Sequence, residues 1–174
     1  MNKLIPLLVA CSAISLIGSL SFNDPKPRLI WNVTASAPKG LYWAASFDRL
    51  ETGALVVVEP PEVETLFMTS RDYLGFGAVL LKRIVALPGT EICRHANHIF
   101  VAGQEIAQAK DVDSQGRHLP QWRGCYRLRS DEIFLVNPDV QDSLDGRYFG
   151  PFPKSSIVGL AYPIWVDDEK DSRI

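Results

Sequence analysis

The sequence predicts a mostly β domain with one short helix, preceded by an N-terminal apolar helix long enough to cross a bilayer. Three observations carry that reading. Apolar runs of strand length are separated throughout by glycine and proline, 12 of each in 174 residues, the punctuation of a turn-rich β chain. Outside the N-terminus only Glu62 to Leu74 spaces its apolar residues as a helix does. Leu4 to Phe22 is an uncharged run of 19 residues, the length of a membrane-spanning helix.

Residues 1–22 are therefore read as a transmembrane anchor, with a cleavable secretory signal ending at Ser19-Leu20-Ser21 as the competing reading. Under either, the rest of the chain is exported. Lys3 precedes the run and Lys26 and Arg28 follow it within six residues, so charge does not set its orientation. The apolar stretch before Leu8-Val9-Ala10-Cys11 is too short for a lipoprotein cleavage box, and Cys11 is read as part of the span. Residues 23–30, with Pro25 and Pro27, form a linker. The domain proper occupies 31–166, and 167–174 is an acidic tail.

Within the domain, Leu29 to Val33 reads as a strand leading into the Ser36 segment. Ala54 to Val58 is a buried strand stopped by Pro60-Pro61. Glu62 to Leu74 is the helix, with Val63, Leu66, Phe67 and Leu74 on its apolar side and Gly75 placed to end it. Val79 to Leu87 is a long strand turned by Pro88-Gly89. Ile99 to Val101 and Glu105-Ile106 flank Gly103 as a hairpin. Lys110 to Gly124 is an exposed loop or ribbon. Ile133 to Val136 is a buried strand, Asp142 to Gly150 a polar turn, and Ile157 to Val166 the last strand.

Composition removes some functions. With 47% hydrophobic residues the chain has enough apolar surface for one good core. The 18 basic and 20 acidic residues leave a net charge of -2. No basic block occurs, so a nucleic-acid partner has no support. Cys93 and Cys125 are the cysteines outside the apolar run. In an oxidising compartment they pair most simply as one disulfide. Two buried thiols, or a metal site with His95, His98 and His118, are the alternatives. That spacing matches no zinc signature, and neither a metal nor a cofactor is expected.

Lys82 interrupts an otherwise buried strand, Leu80-Leu81-Lys82-Arg83-Ile84-Val85. Burial is costly for a lysine unless it is paired or neutral. Neutral is the useful state, because an uncharged amine accepts a proton from a serine hydroxyl. Ser36 is the candidate nucleophile, in a segment stiffened by Pro38 and freed by Gly40. Thr34, two residues earlier, shares its face in an extended segment and is a candidate oxyanion donor beside the Ser36 N–H. Ser143 is placed to orient the amine, and Asp145 and Arg147 to pair with each other as a brace. Each segment alone also reads blandly: a Ser-Pro-Gly turn, a solvated strand face, a self-capping β-turn.

Taken in order, the apolar run, Ser-x-Pro-x-Gly-Leu-Tyr, Lys-Arg-Ile-Val-Ala-Leu-Pro-Gly and Ser-x-Asp-x-Arg-Tyr-Phe-Gly resemble the bacterial type I signal peptidase family. The Ser-x-Pro-x-Gly-Leu-Tyr form resembles the TraF-type conjugal-transfer peptidases within it. The resemblance extends to about Trp165. It implies a signal-peptidase-like β catalytic domain held at the periplasmic side of the bacterial inner membrane. It implies Ser36 as nucleophile, Lys82 as general base, Ser143, Asp145 and Arg147 as support, and Thr34 at a position where relatives carry an oxyanion hydroxyl. It implies a pre-pilin or other exported precursor as substrate, cut after small residues, with hydrolysis or cyclisation of the product. Gly146 stands where many relatives carry serine, which is expected to loosen one contact of the brace. Thr90 replaces a commoner aspartate.

Two other functions fit the same features. A catalytically inactive membrane-anchored pilus-assembly or scaffold protein is favoured if Lys82 is salt-bridged and charged. A β domain that binds an apolar or membrane surface through Trp31, Leu41, Tyr42 and Trp43 is the other, with core packing as the plain alternative for those aromatics.

Overall fold

The computed structural model describes residues 28–167 except residue 76, together with a few helical residues between 5 and 15. Most of the anchor over 1–22, most of the linker over 23–30 and the tail beyond 167 lie outside those residues. Among the described residues no helix is long and apolar enough to cross a membrane.

Strands β1 (Leu29–Asn32) and β2 (Gly40–Ala45) form a hairpin. Strand β3 (Leu55–Val58) is followed by helix α1 (Glu62–Thr69) and strand β4 (Leu80–Ala86). Next come β5 (Glu91–His95), β6 (His98–Val101), β7 (Gln104–Gln108), β8 (Gly124–Arg127) and β9 (Glu132–Leu135). Helix α2 (Gly146–Phe149), β10 (Phe152–Pro153) and β11 (Ile157–Val166) complete the chain. The strands make a seven-stranded sheet in the order β1-β2-β11-β3-β4-β9-β10 and a four-stranded sheet in the order β7-β6-β5-β8. Every pairing within them is antiparallel. The fold is mostly β, as expected, with α1 as the one expected short helix and α2 in addition.

The centre of the larger sheet is covered on both faces, so β3 and, Lys82 and Arg83 apart, β4 read as continuous apolar runs rather than alternating ones. Val56 and Val58 pack on one side with Leu80, Ile84, Leu135 and Phe152. Val57 and Leu81 pack on the other with Ile30, Tyr42 and Ala161. A third cluster, with Ile92, Ile99, Phe134 and Val136, joins the small sheet to the large one. Complete burial of such side chains contributes about 1.5–3 kcal/mol each. Gly40 sits at φ +140°, and a Cβ there would lie 2.2 Å from the Trp165 carbonyl oxygen. Only glycine lets β11 pass that close to β2.

The structure corrects several expectations. β2, β5 and β8 were not anticipated as strands. In β5 the buried Arg94 stands where an apolar residue would have marked the alternation. Helix α1 ends at Thr69 rather than near Leu74, because Asp72 takes a left-handed conformation, φ 59°, and turns the chain early. Val63 and Leu66 face solvent, and Met68 is its buried residue. The turn expected over 142–150 contains α2, whose first turn is capped by the Asp145 side chain accepting from the Arg147 N–H.

Candidate active site

Ser36 lies in the 33–39 loop that joins β1 to β2. Asn32 ties that loop from within. Its Nδ2 donates to the carbonyls of Thr34, Ala37 and Pro38, and its Oδ1 accepts from the Thr34 N–H and hydroxyl. Tyr42 adds a hydrogen bond from its hydroxyl to the Pro38 carbonyl, 2.8 Å. The nucleophile candidate therefore sits on a held loop, although only one of its residues, Ala37, belongs to an apolar cluster.

β4 alternates across the large sheet, so Lys82 and Arg83 point to opposite faces. Lys82 follows Leu80 and Ile84 into the core and is 1% exposed, while Arg83 is exposed. The Lys82 amine donates to Ser143 Oγ at 2.7 Å. Burial pushes its pKa down from an ordinary 10.5 to about 8. The Asp145 charge opposes that shift and the Arg147 charge favours it.

Asp145 and Arg147 are each buried and paired, Nη2 to Oδ2 at 2.8 Å. Arg147 also reaches the carbonyls of Asn137, Val140 and Ser143. The pair thus shapes the 137–143 segment that presents Ser143 to the lysine. The rest of the Asp145 carboxylate is filled by the Asn137 and Arg147 N–H groups.

Ser36, Thr34, Lys82 and Ser143 line one cleft of about 190 Å³, together with Met68 and Leu80. Among the described residues no hydrogen bond joins Ser36 to Lys82. A hydroxyl carries one proton. Thr34 gives its own to Asn32 Oδ1, so across the 2.9 Å Thr34–Ser36 contact Ser36 is the donor. The resting serine proton is therefore held by Thr34, and Thr34 has no free proton for an oxyanion until it releases Asn32.

A cleft that joins a serine on a β-hairpin to a desolvated lysine from a different strand invites comparison with known proteins. The family described as signal peptidase, peptidase S26, matches residues 1–166. The chain belongs to the signal peptidase S26 family. It is 32% identical to the plasmid transfer protein TraF of Escherichia coli over 143 residues, covering 76% of this chain and 80% of that one. It is 32% identical to the conjugal transfer protein TraF of Agrobacterium fabrum over 148 residues, covering 79% and 82%. Over 93 residues, 47% of this chain and 55% of the other, it is 31% identical to signal peptidase I V of Bacillus subtilis. A signal peptidase I structure from Enterococcus faecalis aligns with TM-score 0.39 and 16% identity over 66% of this chain and 98% of that one.

In this signal peptidase family member the structure brings Ser36, Thr34, Lys82 and Ser143 onto one cleft, with the Asp145–Arg147 pair behind Ser143. Cys93 and Cys125 lie elsewhere, opposite each other on β5 and β8 and joined by a disulfide of S–S 2.08 Å. His95 approaches the Cys125 sulfur at 3.9 Å. With both sulfurs bonded to each other, that cluster has no thiolate to offer a metal. His98 pairs with Glu105 instead. Gly146, expected to loosen one contact of the brace, is closely packed. A Cβ there would lie 2.6 Å from Phe134 Cε2 and 2.8 Å from the Leu135 carbonyl oxygen, so the position is filled from outside. Of the aromatic cluster, Tyr42 is core at 1% exposure, whereas Trp31 and Trp43 are exposed.

Two functional-region residues escaped the sequence reading, Asn32 and Asn137. Both are buried asparagines, Asn32 closing β1 and Asn137 lying just past the end of β9. That placement was the available signal, since a buried amide needs hydrogen-bond partners.

Proposed function

We propose that this signal peptidase family member is a membrane-anchored Ser–Lys endopeptidase that removes leader segments from exported precursors. The carrying observation is Lys82, desolvated on an apolar face and hydrogen-bonded to a neutral hydroxyl in the cleft that Ser36 lines. Among the described residues Lys82 takes part in no ion pair, which disfavours the inactive scaffold reading.

In the proposed reaction Ser36 Oγ turns from Thr34 toward the substrate and attacks the scissile carbonyl carbon. Its proton passes to Lys82 Nζ, and the carbonyl oxygen takes the negative charge. The Ser36 N–H and the Thr34 hydroxyl, once released from Asn32, stabilise that oxygen. Collapse breaks the C–N bond, and Lys82 returns the proton to the leaving amine. Water then opens the acyl-enzyme, with Lys82 taking and returning its proton. An internal amine in place of water yields a cyclic product.

The TraF relatives favour a pre-pilin of a conjugative transfer system as the substrate. A location at the inner membrane, with the domain on its periplasmic side, is supported by the apolar run and by one sheet face. Leu29, Trp43 and Tyr162 are cross-strand neighbours, as are Trp31, Leu41 and Trp165. Trp31 stacks on Trp165 at 5.7 Å. Such exposed aromatic rows suit a membrane interface.

The test is processing of a pre-pilin by membranes carrying wild type, Ser36→Ala or Lys82→Ala. Both variants are expected to fold and to lose processing together, since groups acting as a unit fail as a unit. Near-normal processing by either folded variant overturns the dyad.

A further inference from the structure

Asn137 follows β9, where the β4–β9 ladder shifts register and ends. The backbone pairing of β4 nevertheless continues for one more step, through a side chain. Val136 N–H donates to the Arg83 carbonyl at 3.0 Å. Then the Asn137 amide takes over: Oδ1 accepts from the Arg83 N–H at 2.9 Å, and Nδ2 donates to the Leu81 carbonyl at 3.0 Å. Those two backbone groups flank Lys82. On its other edge the same stretch of β4 is paired to β3, with Val56 opposite Lys82.

The second Nδ2 hydrogen donates to the carbonyl of Ser36. One amide therefore holds the peptide groups on either side of the lysine and the peptide group of the serine. Its orientation is dictated by its partners. Flipped, it would aim an NH2 group at the Arg83 N–H and an oxygen at two carbonyls. The backbone of Asn137 is fixed in turn, its N–H on Asp145 Oδ2 at 3.1 Å and its carbonyl on Arg147 Nη2 at 3.2 Å. The residue is 5% exposed, so water does not compete for these bonds.

We propose that Asn137 is the positioning residue that sets the nucleophile loop against the strand of the base. This rests on the Ser36–Lys82 reading above. The Ser36 loop is otherwise tied mainly to itself through Asn32 and Tyr42. Loss of the Asn137 amide leaves that loop internally ordered but free to shift as a unit relative to β4. Proton transfer between two groups is acutely sensitive to such a shift. Lys82 keeps its burial and its Ser143 partner, so its titration stays where it was.

The test uses full-length protein in detergent and a fluorogenic peptide with alanines before the scissile bond. Asn137→Ala and Asn137→Asp are compared with Ser36→Ala and Lys82→Ala. Asn137→Asp keeps the acceptor for the Arg83 N–H and loses both donors. The expected result is a kcat loss on the order of 10²-fold in both Asn137 variants. KM changes little, the pH midpoint is unmoved in Asn137→Ala and raised in Asn137→Asp by the added carboxylate, and amide exchange quickens in residues 33–39 but not in β5 and β8. Retention of kcat within a few-fold in either folded variant overturns the proposal. So does a loss that merely tracks the unfolded fraction. Activity in Ser36→Ala or Lys82→Ala removes the dyad and the proposal with it, whereas dead dyad variants beside active Asn137 variants remove the proposal alone. Should the variants fail to fold, hydrogen exchange of the Asn137 side-chain NH2 in wild type decides. Strong protection supports the proposal and rapid exchange overturns it.

Discussion

Ser143 Oγ accepts a hydrogen bond from Lys82 Nζ at 2.7 Å, and the amine has no carboxylate partner among the described residues. A neutral acceptor orients the lysine while favouring the charged form far less than a carboxylate would. Lys82, brought down to about 8 by burial, is then partly unprotonated at ordinary pH. Processing should rise through a midpoint near that value and level off above it. Ser143→Ala removes an acceptor that favours the ammonium, so the midpoint should move to lower pH while the maximal rate drops roughly 10²-fold. A pH–rate profile of both proteins checks this. A wild-type midpoint near 10.4, where an exposed lysine titrates, would sink the preorganised base.

The same residue makes a prediction about stability. Lys82 binds its proton less readily folded than unfolded, so the unfolded chain holds more protons between about pH 8 and the ordinary lysine value. Stability contributed at this site therefore rises with pH across that window, and the cost of the buried lysine is complete below it. That cost is on the order of 3 kcal/mol. Lys82→Met should raise the melting temperature at pH 7, and the gain should shrink toward pH 10. Chemical denaturation at the two pH values measures it. A gain that grows with pH contradicts the burial account.

Asp145→Asn should be strongly destabilising, because it leaves Arg147 buried beside a neutral amide. Breaking one partner of a buried pair costs roughly 3–5 kcal/mol. Equilibrium unfolding in urea reads the loss directly. A change below about 1 kcal/mol would place this pair with surface salt bridges and remove it as the brace of the 137–143 segment.

Thr34→Val keeps the shape of the side chain and removes its hydroxyl. If that hydroxyl turns from Asn32 to the oxyanion, kcat should fall about 10²-fold with little change in KM, and Thr34→Ser should recover most of it. Equal activity in Thr34→Val and wild type would assign Thr34 to holding the resting serine proton alone.

Replacing Cys93 and Cys125 together by alanine should cost about 3–4 kcal/mol, given a sequence separation of 32. The disulfide joins β5 to β8 and lines no part of the cleft. Processing at low temperature should survive while thermal stability falls. Loss of both at equal protein fold content would show that the small sheet shapes the site.

The readable parts of this chain were those where chemistry and pattern coincide. A lysine amid Leu80, Leu81, Ile84 and Val85 announces its own burial, and β3, β4, the β6–β7 hairpin and β11 follow from apolar runs with clear stops. β5 was hidden because Arg94 is buried through hydrogen bonds to the carbonyls of Ala96 and Arg147, which no hydropathy pattern encodes. Asn137 was hidden for the same reason. Its partners Ser36, Leu81 and Arg83 are more than fifty positions away in the chain. The resting bond of Ser36 to Thr34 depends on which atom Thr34's proton faces, and Asn32 decides that.

The Phe134 ring that fills the space above Gly146 also constrains how this site can change over generations. A serine at 146 would collide with the ring and with the Leu135 carbonyl. A lineage that crosses between the glycine and serine forms must also move the ring at 134 and the strand end beside it. Positions 134 and 146 should accordingly be inherited as a matched set, and a serine grafted alone from a relative should destabilise the domain it was meant to restore.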